Sequence, residues 1–237
     1  MFGGGTYLDW ILSGLKWTLL VSLCAWVIAF TVGSVLGVMR TTSNGFFRRF
    51  AAAYVEAFRN VPLLVQMFLW YFVLPELLPK PIGQWMKTGM PMPEFWSAVL
   101  CLGFYTASRV AEQVRSGIES IPRGQANAGF AMGLTETQVY RHVLLPMAYR
   151  IVIPPLTSEF LTIFKNSSVA LTIGVLELTA QSRQITEFTF QGFEAFTMAT
   201  VLYLIVTMTV IVLMRAVESR VRVPGFLGSG AAPQAGH

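Results

Sequence analysis

Five stretches of the chain are apolar over a length that suits a bilayer, and the polar residues collect between them. They run from Ile11 to Met39, Pro62 to Leu78, Phe95 to Gln113, Met147 to Lys165 and Phe196 to Met214. A spanning helix needs about 20 mostly apolar residues. Lipid-exposed backbone must satisfy its own hydrogen bonds, which leaves helices or closed barrels. Barrel strands would alternate apolar with polar residues, and these segments do not. The pattern predicts an all-α polytopic membrane helix bundle of about five transmembrane helices. It forms a single domain over residues 1–225, followed by a disordered tail at 226–237. An odd number of spans puts the two ends on opposite sides.

The connections are asymmetric in charge. Arg40, Arg48, Arg49 and Arg59 follow the first stretch, Arg115, Arg123, Arg141 and Arg150 flank the third connection, and Arg215, Arg220 and Arg222 come after the last. The alternate loops hold Lys80, Lys87 and Arg183. Lys and Arg accumulate on the cytoplasmic side of short loops, so the N-terminus is expected outside and the C-terminus in the cytoplasm.

Two mixed segments are not read as spans. "NGFFRRFAAAYVEAFRNVP" opens on an Asn-Gly turn and sets Phe47, Phe50, Tyr54 and Phe58 at helical spacing, with Arg48, Arg49 and Glu56 elsewhere, as an interfacial helix would. "LELTAQSRQITEFTFQGFEAF" is similarly mixed and is expected at the outer surface, where it caps the bundle or meets an external partner. Within the first span Ala29, Gly33 and Gly37 recur every fourth residue, a stripe that lets a second helix approach closely. Its plain reading is packing within the chain or complex.

Composition narrows the class. Only 12% of the residues are charged, about half the share of a soluble domain, and the mean hydropathy is +0.58. The net charge of +5 is accounted for by cytoplasmic loops, so nucleic acid is not an expected partner. Cys24 and Cys101 lie inside apolar runs, where a thiol behaves as a small hydrophobe, and no disulfide or metal spacing follows from them. The opening "MFGGGTYLDW" has no basic leader region and the apolar run after it is too long for a cleaved signal, so the first helix is expected to stay. The sequence contains no G-x-x-x-x-G-K-[ST] loop and no H-E-x-x-H, and its histidines are His142 and His237. A zinc protease is thereby excluded. Work driven by ATP would have to draw on another chain, and no cofactor is expected in this one.

One polar connection is too patterned for a linker. In "GQANAGFAMGLTETQVYRHVLLP", Pro122 just upstream suits the first turn of a helix, good helix formers continue from Gln125 to Met132, and Gly133 supplies the stop. Thr135 followed by Gln138 reads as a capping box that opens a second short helix. Pro146 is expected to end it and let the fourth span begin. The result, over about residues 120–146, is a rigid cytoplasmic elbow of the kind a second protein could grip.

Ionisable groups inside spans cost about 2.5–3.5 kcal/mol each on insertion scales and are functional candidates by default. Three stand out: Arg109 and Glu112 in the third span and Lys165 at the end of the fourth. Arg109 and Glu112 are spaced i, i+3 and could simply neutralise one another. "FKNSS" sets Lys165, Asn166 and Ser167 where the fourth span gives way to an outer segment. A broken helix there can lend free backbone groups to a ligand, and a helix–helix hydrogen bond is the plainer use. Gln66 carries a weaker version of the same argument. Glu56 and Arg59, also i, i+3, are expected to fix the cytoplasmic end of the second span. Lys165 and Ser167, at i, i+2, point apart, which disfavours a hydrolytic pair.

These motifs have a familiar order. "GQANAGFAMG" followed by "VLLP" resembles the "EAA" loop of binding-protein-dependent ABC importers. "YVEAFRNVPLLVQMFLWYFVLP", "RVAEQVRSGI" and "LTIFKNSSVALTIGVLEL" are similar, in matching order, to the polar amino acid permease family. The resemblance covers most of residues 10–222. Asn127 stands where the loop has its acidic residue, and Gly129 where it has its second alanine. Gly133 stands where the family has its glycine.

The resemblance implies the fold of type I ABC importer permeases and a place in a bacterial inner membrane. It also implies a cytoplasmic ATPase dimer that holds ATP and magnesium, a second permease subunit that is a related chain or else a second copy of this one, with the resemblance favouring the related chain, and an extracytoplasmic binding protein. It assigns ATPase coupling to Gln125, Asn127, Ala128, Gly129, Gly133, Leu145 and Pro146. Where permeases of this family tend to carry an aromatic, this chain has Arg109, whose guanidinium offers a fork matched to a carboxylate. The expected substrate is therefore an acidic amino acid, glutamate or aspartate, with Arg109 on its distal carboxylate. Glu112 would orient Arg109 or meet the α-ammonium. Glutamine or a basic amino acid is the alternative substrate. A passive channel or a membrane scaffold is the alternative class.

Overall fold

The computed structural model describes residues 6–221. Among these the chain is helical, with no strand, and each of the five expected stretches is a helix or a helix with a local distortion; Tyr7–Met39 and Gly192–Val221 are by themselves long and apolar enough to cross a membrane, and two bent helix pairs bring the number to at most four. The tail expected at 226–237, and Arg222, lie outside the described residues.

Helix α1 (Tyr7–Met39) opens on a capping box in which the Thr6 and Asp9 side chains bond each other's backbone N–H. Helix α6 (Pro93–Glu119) packs along it and forms the axis of the bundle. The small-residue stripe explains why the two approach so closely. A Cβ on Gly33 would stand 2.6 Å from Val110 Cβ and 2.7 Å from the Ala107 carbonyl, and one on Gly37 would stand 2.7 Å from Val114 Cβ. The stripe therefore serves packing within the chain. Helix α6, the least apolar of the five spans by sequence, is the most enclosed, with Ala98, Leu102, Ala107, Val110, Ala111 and Val114 all at 1% exposure or less.

Helix α2 (Gly45–Asn60) is amphipathic as expected, with Phe46, Phe47 and Phe50 exposed and Ala51 and Val55 buried against its neighbours. At Val61 and Pro62 the chain bends by 103° into the second span. This span is α3 (Leu63–Phe68), a wide π-turn (Leu69–Val73) and α4 (Leu74–Leu77). It covers roughly 22 Å at 1.5 Å per residue, short of the roughly 30 Å hydrocarbon core. The loop beyond it is not a simple connection. It folds as α5 (Lys80–Gln84) and a second π-turn (Trp85–Gly89), with Lys87 paired to Glu76.

Helix α7 (Arg123–Ala131) and the short α8 (Glu136–Val139) form the elbow. Helix α9 (Leu145–Asn166) is the fourth span and runs on as a 3₁₀ turn (Ser167–Ile173) to Gly174 at φ +95°. Helix α10 (Leu178–Thr189) buries Leu178, Ala180, Gln181, Ser182 and Ile185 against its neighbours, so this mixed segment caps the bundle. Helix α11 (Gly192–Val221) is the fifth span. Tyr7 lies beside Ile185 and Gln191, whereas Val221 lies beside Arg150, so the described ends occupy opposite ends of the bundle.

The expected break at Pro146 is absent. Helix α8 passes through a third π-turn (Tyr140–Leu144) directly into α9, with Leu145 N–H donating to the Tyr140 carbonyl. Each of the three π-turns ends two residues before a proline: Pro75, Pro91 and Pro146. A proline inside a helix lacks the N–H and drives its ring into the carbonyl four residues back. Before Pro75 and Pro146 widening the preceding turn relieves that clash without ending the helix, whereas the turn before Pro91 stops at Gly89.

Candidate functional site

The elbow follows from its local chemistry. Gly133 takes φ +84°, a region that an L side chain resists. Thr135 and Gln138 form the capping box that starts α8. Gly129 is buried, and a Cβ there would meet Val139 at 3.0 Å, so the two arms close on each other through a small residue. Asn127, Ala128, Phe130 and Met132 are exposed on the outer side, and Gln125 is half-buried. Leu145 and Pro146 lie in the first turn of α9, so the elbow and the fourth span share one helical rod.

The elbow is also tied to the turn after the first span, a contact between positions too far apart in the chain for spacing to reveal. The Tyr140 hydroxyl donates to the Thr41 carbonyl at 2.7 Å, and the Ser43 hydroxyl donates to Glu136 Oε1 at 2.9 Å. Immediately before, Arg40 pairs with Glu112. The turn after α1 is thus held at once by α6 and by the elbow.

The charges within the third span pair differently from the expectation. Glu112 is shared by Arg40 and by Arg115 of its own helix, with Arg59 at 4.0 Å. Arg109 turns instead to α9, where its Nη1 lies 3.7 Å from Glu159 Oε1. Its Nη2 donates to the Tyr105 hydroxyl at 3.3 Å and its guanidinium carbon sits 5.5 Å from the centre of that ring. Glu112 therefore does not orient Arg109. Residues at i, i+3 can meet, but a carboxylate flanked by two other guanidiniums has both oxygens occupied. The Arg109 side chain remains 42% exposed, enough to offer donors to a ligand. Glu159 is 12% exposed, and its second oxygen is buried without a partner among the described residues. Sequence reasoning missed Glu159 inside an apolar run; as an unpaired acid within a span it carried the same signal as Glu112.

Arg59 is drawn toward Glu112, not Glu56, which stays exposed and outside the ion pairs of the described residues. The Gln66 amide nitrogen donates to the Phe58 and Val61 carbonyls at 2.8 and 2.9 Å and pins the bend between α2 and α3, while its Oε1 is buried without a partner among the described residues. Ser167 is fully buried and donates to the Phe164 carbonyl at 2.7 Å, closing the helix end. Lys165 is exposed and, with Ser168, Thr179, Thr200, Tyr203 and Thr207, lines a cavity of about 470 Å³ between the end of α9 and α11. Asn166, half-buried, lies seven residues from Glu159 and so on the same face of α9, roughly 10 Å away. Behind this cavity Glu177 is fully buried. It accepts from the Thr179 and Ala180 N–H groups and from the Tyr203 hydroxyl, and burial pushes its carboxyl above the ordinary value.

The fold that holds these residues is one that known proteins share. Residues 29–223 match the family described as the binding-protein-dependent transport system inner membrane component. The chain belongs to this family. It is 50% identical over 229 residues to the glutamate/aspartate import permease protein GltJ of Escherichia coli K12, covering 96% of this chain and 93% of that one. It is 33% identical to the probable glutamine ABC transporter permease protein GlnM of Bacillus subtilis, covering 88% and 92%. Among solved structures, an amino acid ABC transporter crystallised with histidines superposes with a TM-score of 0.76 at 30% identity over 90% of this chain and 95% of that one. The methionine transporter MetNI, at 20% identity, shares the fold with a TM-score of 0.68, covering 91% and 96%.

As a binding-protein-dependent inner membrane component, the chain has the type I ABC importer permease fold and is a transport subunit. The family implies an ATPase and a binding protein as partners in general.

Proposed function

We propose that the chain is the membrane subunit of an ATP-driven importer for glutamate and aspartate, forming the pathway together with a related second subunit in a bacterial inner membrane. The observation that carries this reading is the 50% identity to a glutamate/aspartate import permease along nearly the whole chain. Arg109 supplies the matching chemistry. Its half-exposed guanidinium, tethered through one oxygen of Glu159, takes the distal carboxylate of the substrate. The free oxygen of Glu159 meets the α-ammonium in place of Glu112. Asn166 lies along the same face toward the outer end, and Lys165 receives the incoming carboxylate.

The elbow end faces the cytoplasm in this reading, and the arginines gathered there favour it. The ATPase, which holds ATP and magnesium, grips the exposed surface around Gln125, Asn127, Ala128 and Gly133. Gly129 keeps the two arms closed. Leu145 and Pro146 pass the movement into α9, and Tyr140 and Glu136 pass it to the turn after α1. Both walls of the pathway then move together.

The test is uptake into vesicles that hold the permease pair and the ATPase, with the binding protein outside. Expected is ATP-dependent accumulation of labelled glutamate and aspartate, with glutamine a poor competitor. Glutamine uptake that excess glutamate leaves undiminished would sink the acidic assignment, and currents without the ATPase would make the protein a channel.

A further inference from the structure

A cleft of about 300 Å³ opens between α9 and the last turns of α11, lined by Arg150, Ile153, Pro154, Arg215, Glu218 and Ser219. Both arginines are exposed, and neither enters an ion pair among the described residues. This sets them apart from Arg40 and Arg115 at the same end, whose charges are met by Glu112 and Glu119. The acid within the cleft, Glu218, accepts a hydrogen bond from Thr157 at 2.9 Å, which draws one of its oxygens away from the guanidiniums. The cleft is left with a surplus of positive charge.

Its depth is defined by the sequence around it. From Phe196 to Met214, α11 carries no charge, and Arg215 is the first. On α9, Arg150 is separated from the next charge, Glu159, by an apolar run. Two helices of opposite direction thus bring their first guanidinium into one cleft, each at the end of an uncharged, largely apolar run. On the outer surface of α11, Val212 and Leu213 are 66% and 61% exposed and Val217 is 43% exposed, so an apolar surface continues beyond Arg215 on both sides. A guanidinium is weakly hydrated and presents a fork of donors that fits phosphate oxygens. Basic pockets between transmembrane helices at the cytoplasmic face suit acidic lipid headgroups.

We infer that the Arg150–Arg215 cleft binds the phosphate of an anionic phospholipid, whose acyl chains run along the exposed face of α11. The apolar wall selects a lipid over free phosphate. The site is independent of the substrate reading, because its ligand comes from the membrane and its residues lie away from Arg109 and the elbow's exposed surface.

The experiment is native mass spectrometry of the assembled transporter, released from vesicles of phosphatidylcholine mixed with phosphatidylglycerol, for the wild type, R150Q/R215Q and R220Q. The wild type and R220Q should retain phosphatidylglycerol in preference to phosphatidylcholine. The double variant should lose that preference on the order of tenfold while keeping its phosphatidylcholine and its partner subunits. Should the double variant fail to assemble, R150Q and R215Q are compared singly, and each should lose part of the preference. Undiminished phosphatidylglycerol retention in the variants that assemble would overturn the proposal. Displacement of the lipid by inorganic phosphate at equal charge would also overturn it, since the cleft would then be a free-anion site.

Discussion

The Tyr140 hydroxyl donates to the Thr41 carbonyl at 2.7 Å, joining residues that are 99 positions apart in the chain. Tyr140 opens the π-turn that fuses the elbow to α9, and Thr41 is in the turn that follows α1. One hydrogen bond therefore links the fourth span, the elbow and the first span. Removing it by Tyr140→Phe should cost about 1 kcal/mol, or about fivefold in the balance between linked and unlinked arrangements. Uptake per ATP hydrolysed should fall while the amount of assembled transporter stays normal. A parallel fall in assembly and uptake would reduce the bond to a purely structural one.

Arg109 and Glu159 should behave as one unit. Arg109→Gln removes a charge-assisted contact of roughly 1.5–3 kcal/mol, so glutamate uptake should fall by at least about tenfold with membrane levels maintained. Glu159→Gln should weaken uptake as well, and the double variant should be little worse than Arg109→Gln alone. Glutamate uptake measured at saturating binding protein decides this. Additive losses would mean that the two residues act separately.

Gly133 separates folding from docking. Its φ of +84° is costly for most residues but milder for Asn and Asp, and a Cβ there would meet no atom within 4 Å in this chain. Gly133→Asp should accordingly fold and reach the membrane, yet lose uptake if the space beside the turn is filled by the ATPase. Co-purification of the ATPase with the variant is the measurement, and full binding with full transport would place the turn outside the interface.

The α1–α6 seam has no such room. Gly33→Ala puts its methyl 2.7 Å from the Ala107 carbonyl, which cannot turn aside as a side chain would. Overpacking of this kind costs about 1–3 kcal/mol. The thermal midpoint of the purified protein should drop, whereas Gly45→Ala, where nothing lies within 4 Å, should leave it nearly unchanged.

Glu177 predicts a direction of pH dependence. Burial raises its carboxyl above the unfolded value, so the folded state holds the proton more readily. Its contribution to stability is full below the ordinary carboxylate range and declines as pH rises through the raised value. Thermal melts across that window should show less decline for Glu177→Gln than for the wild type.

Much of this architecture was legible along the chain. The spans α1 and α11 follow from apolar length, α2 from its aromatic spacing, and the elbow from Gly133 and the Thr135–Gln138 box, because each is a local balance of solvation and backbone geometry. Pro146 misled for a local reason as well. A proline announces lost hydrogen bonding, but the same loss is met either by stopping or by widening a turn, and the packing of Val139 and Leu144 in the core favours the continuous rod.

The charged pairs were beyond the sequence. Arg109 had acids available at 112 and 159, and Glu112 had guanidiniums at 40, 59, 109 and 115. Spacing alone makes the nearest combination attractive. By itself the sequence determined that the chain must be a helix bundle in lipid with a stiff polar elbow, since backbone groups and apolar side chains leave no other solution there. Only the tertiary structure decided which charges meet, because Coulombic attraction depends on separation in space, and that separation is set by how closely Gly33 and Gly37 let α1 approach α6.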